Sequence, residues 1–198
     1  MALDYTWLTS VDDLYPHPGR VRVTIDEARA LLVDDRQFAN SSSRPRLWDG
    51  LEEYIGRFLA LEERHASLLD GRELLKCLWL AGSFVSGKVE PNNIDVTVCL
   101  DDEARVALKG KSGSGWLARA FQRQACKQQF GVSPLELRYR RVVSVFHTRV
   151  TDAADKAYLQ DRGGWDEWWQ RCRDPGAATG EPTVATVETR RGYLEVVL

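Results

Sequence analysis

Apolar residues recur at steps of three and four between residues 46 and 69, which is the spacing of one face of an α-helix. Charged residues of this segment, such as Glu52, Glu53 and Arg57, fall mostly on the opposite side. The pattern therefore predicts a long amphipathic helix that packs against a sheet. Its apolar positions are Leu47, Leu51, Tyr54, Ile55, Phe58, Leu59 and Leu61.

Two apolar runs follow this helix and predict buried strands, one over residues 74–82 and the other over residues 94–100. Upstream, residues 21–35 predict a short strand and then a helix that is capped near Thr24, because Asp26 and Glu27 follow in its first turn. The Asn, Ser and Pro content of residues 38–46 is typical of a loop. Strand and helix signals thus alternate through the first half of the chain.

The second half continues the alternation. Residues 114–131 predict one helix with an inner stripe of Leu117, Ala120, Phe121 and Ala125, which Gly131 ends. Residues 134–150 predict a long strand or a hairpin, and residues 151–162 and 164–173 predict two short helices. The last six residues, 193–198, predict an edge strand.

The order of elements predicts an α/β (α+β) fold in which helices flank a small mixed sheet. We expect one domain over residues 1–198. In this division, residues 1–70 form an N-terminal helical extension with packing helices, and residues 71–150 form the core sheet. Residues 151–198 supply C-terminal helices and the edge strand.

Composition narrows the classes of protein that remain. With 43% hydrophobic and 28% charged residues, a net charge of -2 and a pI near 6.0, the chain resembles ordinary globular proteins and not a dedicated DNA-binding protein. No segment has the pattern of a signal peptide or a membrane-spanning helix, so we expect no membrane partner. Four scattered cysteines without a CxxC pair, and three histidines without metal-ligand spacing, predict a reduced, cytoplasmic protein without zinc.

The chemistry is concentrated between the two apolar runs. Gly82 and Ser83 end the first run, and Asp95 lies at the start of the second. A glycine after a strand lets backbone N–H groups approach a phosphate, and a serine hydroxyl adds a donor. If a helix begins at Ser83, its N-terminus also favours an anion. Carboxylates at alternate strand positions would share a metal, but the position two residues before Asp95 holds Asn93.

The segment GSFVSGKVEPNNIDVTV resembles the signature of the nucleotidyltransferase superfamily, which has the DNA polymerase beta-like fold. More narrowly, it is similar to small uncharacterised bacterial nucleotidyltransferase-like proteins. The specific match covers residues 78–100, and the ending RRGYLEVVL matches more weakly. The resemblance implies a nucleotide site with Mg²⁺, in which Gly82 and Ser83 hold the β- and γ-phosphates and Lys88 reaches a phosphate oxygen.

The resemblance also implies three metal-binding carboxylates. Asp95 matches the second of them, and Asn93 stands where the first is expected. Chain order assigns the third to Glu136, unless its position is Ser133, in which case that acid is lost too. Other acids that could compensate are Glu90, Asp101 and Asp102. A neutral amide at position 93 weakens Mg²⁺ binding and removes a base.

Two functions follow from the resemblance. The first is binding of a nucleoside triphosphate with Mg²⁺ and transfer of its nucleoside monophosphate to a hydroxyl of a small molecule, protein or RNA, with release of pyrophosphate. The second, which Asn93 favours, is a catalytically impaired binding or regulatory module with a protein partner, for example in a toxin–antitoxin or phage-defence setting. A third alternative is that the match is accidental and that the protein has an unrelated function.

Other side chains invite less specific interpretations. Trp165, Trp168 and Trp169 have the spacing of a core-facing helix stripe, with base stacking as the alternative. His147 lies among apolar residues and fits a core or edge-strand histidine better than a base. The arginines of the 138–141 segment fit a charged solvent face, with nucleotide or RNA binding as the alternative.

Overall fold

The structure of the chain is a computed structural model, and it describes residues 9–11, 15–143, 145, 152–174, 180–188 and 190–198. Its strands are β1 (Thr9–Val11), β2 (Tyr15–Pro16), β3 (Gly19–Thr24), β4 (Leu75–Ala81), β5 (Ile94–Asp101), β6 (Val132–Tyr139) and β7 (Gly192–Val197). Its α-helices are α1 (Ile25–Leu32), α2 (Ser43–Arg64), α3 (Ala66–Leu69), α4 (Asp102–Ala107), α5 (Gly115–Arg119), α6 (Arg123–Phe130) and α7 (Ala153–Trp169). Short 3-10 turns lie at Arg36–Phe38, Gly82–Val85 and Val184–Thr186.

Five strands form one mixed sheet in the order β3-β7-β4-β5-β6. Strand β4 is antiparallel to β5 and β7, whereas β3–β7 and β5–β6 are parallel pairs. The two remaining strands, β1 and β2, form a small antiparallel ribbon. The predicted α/β fold with a mixed sheet flanked by helices is confirmed.

Alternate residues of the strands bury two different faces of the sheet. One face packs on α1 to α6 and forms the larger core, which contains Leu78, Val96 and Leu194. The other face packs on α7 and forms a smaller cluster that contains Trp79, Tyr158 and Trp169. Among the described residues, no helix combines the length and the apolar character that crossing a membrane requires.

The elements near the N-terminus follow the sequence closely. Thr24 caps α1 with a capping box, in which its hydroxyl accepts from the Glu27 N–H and the Glu27 carboxylate accepts from the Thr24 N–H. The predicted loop at residues 38–46 is shorter than expected, because α2 already begins at Ser43. Pro45 is tolerated there because the N–H groups of a first helical turn have no partner within the helix.

Three predicted elements differ from the structure. The single helix over residues 114–131 is two helices, α5 and α6, with Ala125 exposed. The two helices over residues 151–173 are one, α7, which Asp152 caps and which continues through Gly163 and Gly164. The predicted edge strand at the C-terminus is β7, an interior strand between β3 and β4.

The long strand predicted over residues 134–150 is confirmed only in its first part, because β6 ends at Tyr139. His147 lies outside the described residues. The acids and arginines at this end of the sheet neutralise one another, since Asp102 pairs with Arg138 and Arg140, and Arg140 also pairs with Asp155 at 2.6 Å. These contacts agree with the charged-surface interpretation of the arginines.

A buried arginine fixes the segment that connects β4 to β5. Arg44 of α2 is 0% exposed and donates to the carbonyl oxygens of Phe84, Ser86 and Lys88 at 2.7–2.8 Å, and to that of Leu32 at 2.6 Å. Its guanidinium also lies 3.5 Å from the centre of the Phe38 ring. The start of α2 therefore holds the connecting segment in one conformation.

Candidate functional site: the Asp95 cavity

Gly82 and Asp95 meet where β4 ends and β5 begins, because Ala81 and Asp95 are register partners in the antiparallel pair. Gly82 has a φ of +71°, and a Cβ at this position would lie 2.3 Å from Asp95 Oδ2. Only glycine satisfies both the backbone conformation and the close approach of the carboxylate. The sequence therefore places Asp95 against the backbone of the corner that follows β4.

Asn93 and Ser133 complete the surroundings of Asp95. The Asn93 side-chain amide donates to Asp95 Oδ1 at 3.0 Å. Ser133 of β6 is the register partner of Asp95 in the parallel pair β5–β6. The Ser133 hydroxyl accepts from Arg123 Nε at 3.1 Å and from Nη2 at 2.8 Å. An amide, a hydroxyl and an arginine thus surround the single carboxylate.

Glu136 is not part of this group. It is three residues beyond Ser133 along β6, so its side chain and that of Asp95 project from opposite faces of the sheet. There the carboxylate pairs with Arg105 at 2.5 Å. Of the two alternatives for the third acid, Ser133 is the one that lies beside Asp95.

Within the described residues, the other predicted phosphate ligands, Ser83 and Lys88, form no side-chain hydrogen bond or ion pair with Asp95. Ser83 belongs to the single 3-10 turn Gly82–Val85, so the helix expected at Ser83 is reduced to four residues. The Ser83 carbonyl accepts from the Ser86 N–H and hydroxyl. Lys88 is exposed, and neither residue is among the described residues that line the cavity beside Asp95.

The acids that could have compensated for Asn93 have other partners. Glu90 accepts the N–H groups of Ser42 and Ser43 at 2.8 and 2.9 Å, so it caps the start of α2. Asp101 accepts from the Ala104 N–H and caps α4, and Asp102 pairs with arginines. Among the described residues, no group of three or more His, Cys, Asp or Glu side chains could hold a metal ion.

An open cavity of about 270 Å³ lies over Asp95 and Gly82. We call it the Asp95 cavity, and its other residues that matter here are Arg123, Trp168, Arg173 and Arg191. Glu181 and Trp165 also line it. Among the described residues of this lining, three arginines and two carboxylates give a net charge of +1. The cavity therefore suits an anion more than a cation.

Arg191 is the most confined of these arginines, because only 7% of it is exposed. Its Nε donates to the Trp169 carbonyl at 3.3 Å, and its guanidinium lies 5.5 Å from the centre of the Tyr15 ring. Its two Nη groups have no hydrogen-bond partner within the described residues. Burial holds the pKa of Arg191 below its ordinary value, although the nearby Asp95 carboxylate acts in the opposite direction.

The tryptophans of α7 divide between packing and the cavity. Trp169 is buried, and its Nε1 donates to the Thr97 hydroxyl at 2.8 Å, so it belongs to the core as predicted. Trp165 stacks on Trp169, with 6.1 Å between the ring centres and 25° between the ring planes. Trp168 remains 39% exposed and lines the cavity. Part of the Trp168 side chain is therefore accessible to a ligand.

Gly82, Asp95 and Asn93 were predicted from the sequence, whereas the arginines that line the cavity were not. Arg191 lies in the C-terminal RRGYLEVVL segment, which carries part of the resemblance and was the only sequence signal for it. No sequence pattern pointed to Arg123 or Arg173, because they are distant from Asp95 in the sequence and the fold brings them to the same cavity.

A family model described as "Family of unknown function (DUF6932)" matches residues 10–196. The chain belongs to this family. No curated protein and no solved structure matches the chain.

Proposed function

We propose that the Asp95 cavity binds a nucleotide and that the protein acts as a binding or regulatory module of the nucleotidyltransferase type. The observation that carries the proposal is Arg191, which lines the cavity, is 7% exposed and has no hydrogen-bond partner for its Nη groups within the described residues. Desolvation lowers the pKa of this guanidinium, and the nearby Asp95 carboxylate offsets only part of that effect. A phosphate would add a second anion with acceptors for the Nη groups.

The phosphate end of the ligand is assigned to the arginines. Guanidinium groups bind phosphate oxygens through paired N–H donors, and they stay charged at neutral pH. Arg173 is exposed at the cavity, and Arg123 reaches it beside the Ser133 hydroxyl. Asp95, whose carboxylate the Asn93 amide holds by a hydrogen bond, then supplies an acceptor to the groups of the ligand that are not phosphates.

We assign the nucleotide base to the side of the cavity that Trp168 lines. Trp168 is 39% exposed, and each base that stacks on an aromatic ring gains about 1–3 kcal/mol. The cavity volume of about 270 Å³ is close to the lower end, about 300 Å³, of small-ligand sites. Stacking does not select among bases, so the proposal covers ATP, GTP, CTP and UTP.

The residues around Asp95 do not fit a two-metal centre. Mg²⁺ prefers carboxylate oxygens, and Asp95 is the one carboxylate among the three motif positions, which hold Asn93, Asp95 and Ser133. The Arg123 guanidinium occupies the Ser133 side of the group, where a divalent cation would be repelled. The group around Asp95 therefore lacks the carboxylates that two Mg²⁺ ions would need.

Nucleotidyl transfer is the second candidate function. The contact of Gly82 with Asp95 favours it, since a glycine corner packed on a carboxylate is the arrangement that the resemblance implies for transferases. Its acceptor would be a hydroxyl of a small molecule, a protein or an RNA. For the binding module, we propose a protein partner instead. The four free cysteines suit a reducing compartment, and we propose the cytoplasm for either function.

Thermal unfolding with each of the four nucleoside triphosphates tests the proposal, once with EDTA and once with Mg²⁺. We expect at least one nucleotide to stabilise the protein in EDTA, because a ligand at a hundred times its Kd adds about 2.7 kcal/mol. Arg173→Gln and Trp168→Ala should each weaken binding about tenfold. The matched controls are Arg46→Gln and Leu68→Ala, which replace exposed residues away from the cavity.

The same samples separate the two functions. No stabilisation by any nucleotide in either buffer would refute nucleotide binding. A pyrophosphate-release assay with Mg²⁺ addresses transfer, and we expect the wild type to release no more than Asp95→Ala. Release that Asp95→Ala abolishes would establish the transferase instead. The double variant Asn93→Asp with Ser133→Asp then reports whether restoring both acids creates Mg²⁺ binding.

A further inference from the structure

Cys77 and Cys99 face each other across the β4–β5 pair, away from the Asp95 cavity. They are register partners, and both belong to the face of the sheet that packs on α7. Partner residues in an antiparallel pair have Cα atoms about 4.5–5.5 Å apart. That separation lies within the range of about 4.4–6.8 Å that a disulfide spans. The backbone thus permits a bond between the two sulfurs.

The two thiols differ in their access to solvent. Cys77 is half-buried, whereas Cys99 is only 3% exposed. Both line a second cavity, the Cys77 cavity, of about 270 Å³, together with Arg20, Arg162 and Glu195. A small reagent in this cavity would meet Cys77 first, with Cys99 directly behind it. Cys126 and Cys172 are buried and lie in other parts of the fold.

The electrostatics of the Cys77 cavity favour a thiolate at Cys77. The neighbouring Cys99 thiol lowers the pKa of the Cys77 thiol, and Arg20 and Arg162 lower it further, whereas burial and the Glu195 carboxylate raise it. The interaction with Cys77 and burial raise the pKa of Cys99. Glu195, the acid of this cavity, is paired with Arg20 and Arg22. One thiol is therefore prepared to attack and the other holds its proton.

We propose that Cys77 and Cys99 form a peroxide-responsive thiol pair that closes reversibly into a disulfide. The Cys77 sulfur attacks one oxygen of hydrogen peroxide, the O–O bond breaks, and the leaving hydroxide takes up the proton of the original thiol to give water. Cys77 is then a sulfenic acid. The Cys99 sulfur attacks the Cys77 sulfur, its S–H proton joins the departing hydroxide, and a second water leaves. Two thiols are oxidised and one peroxide is reduced.

This bond would close a loop that contains the connecting segment between β4 and β5. Residues 78–98 lie between the two sulfurs, and they include Gly82, Asn93 and Asp95. A cross-link restricts the unfolded chain and leaves already adjacent strands in place. We therefore expect the oxidised protein to keep its fold and to unfold at a higher temperature than the reduced protein.

Peptide mapping of the native full-length chain tests this proposal without reference to nucleotide binding. After treatment with hydrogen peroxide, the intact protein should lose the mass of two hydrogen atoms. A Cys77–Cys99 linked peptide should appear, and dithiothreitol should remove it. Before oxidation, iodoacetamide should alkylate Cys77 about ten times faster than Cys126 or Cys172.

Cysteine-to-serine variants test the separate roles of the two thiols. Cys99→Ser should leave a Cys77 sulfenic acid that dimedone traps, and Cys77→Ser should not form the link. The matched controls Cys126→Ser and Cys172→Ser should behave like the wild type. A wild-type Cys77 that proceeds to sulfinic acid without a linked peptide would overturn the proposal, as would equal reactivity of all four thiols. If a variant fails to fold, the wild-type peptide map decides alone.

Discussion

Gly82 and Asp95 depend on each other at the level of single residues. The positive φ of Gly82 and the missing Cβ together leave room for the Asp95 carboxylate, which Asn93 then holds by a hydrogen bond. A side chain at position 82 would displace that carboxylate from the cavity. The chemistry of the site therefore rests on a backbone conformation as much as on a functional group.

Gly82→Ala tests this dependence against Gly71→Ala. Both glycines have a positive φ, but a Cβ at Gly71 would meet nothing within 4 Å. We expect each alanine to cost about 1 kcal/mol in unfolding free energy for its φ, and Gly82→Ala to cost about 1–3 kcal/mol more because of the clash. Urea unfolding measures the difference. Equal losses in the two variants would contradict the packing of Asp95 on Gly82.

The residues that sequence analysis found at this site are those whose roles are local. Gly82, Asn93 and Asp95 lie within one short segment, so their types and spacing predict their proximity. The choice between Glu136 and Ser133 depended on the register of β5 with β6, which shifts every side chain to the other face when it slips by one residue. Nothing in the local pattern of residues 132–139 specifies that register.

At the level of elements, helix α2 and the β4–β5 connection hold each other. Arg44 donates to carbonyl oxygens of the connection, and Glu90, near its end, caps the first turn of α2. Hydrogen bonds from Ser43 and from the Ser42 N–H lower the pKa of Glu90 to about 2. This carboxylate is thus a structural cap.

Glu90→Gln should change how the stability of the protein depends on pH. An unfolded glutamate has a pKa of about 4.3, so the lower folded pKa stabilises the protein above roughly that pH. The contribution is lost as the pH falls toward about 2, where the folded carboxylate also becomes protonated. We therefore expect the variant to be less stable than the wild type near neutrality, and the two to converge between about pH 5 and pH 2.

Thermal unfolding across that pH range measures the convergence. Glu63→Gln is the matched control, because Glu63 is an exposed acid on α2, the helix that Glu90 caps. Its difference from the wild type should change little with pH. A Glu90→Gln difference that stays constant down to pH 2 would show that Glu90 does not cap α2 as a carboxylate.

Elements with strong periodic patterns and local caps were predicted, and those that depend on distant partners were not. The α2 stripe and the Thr24 cap are visible in the sequence. Helix α7 runs through two glycines that usually interrupt a helix, because Tyr158 and Trp169 bury it on the sheet. Strand β7 is interior because β3, near the other end of the chain, pairs with it.

The whole molecule brings the cavity together from distant parts of the sequence. Gly82 comes from the turn after β4 and Asp95 from β5. Arg123 comes from α6, Trp168 from α7, and Arg191 from the residues before β7. The described residues thus combine one acid motif from the middle of the chain with arginines and an indole from its second half. This combination leads to the central claim that the cavity binds a nucleotide through arginines instead of a metal centre.

A crystal structure with the most stabilising nucleotide, bound in the presence of EDTA, tests that claim most directly. We expect phosphate density within hydrogen-bond distance of the Arg191 Nη groups, and a base against the Trp168 ring. Asp95 should remain against Gly82. A nucleotide bound elsewhere on the protein, or one that enters the cavity only with Mg²⁺ coordinated by Asp95 and Asn93, would contradict the account.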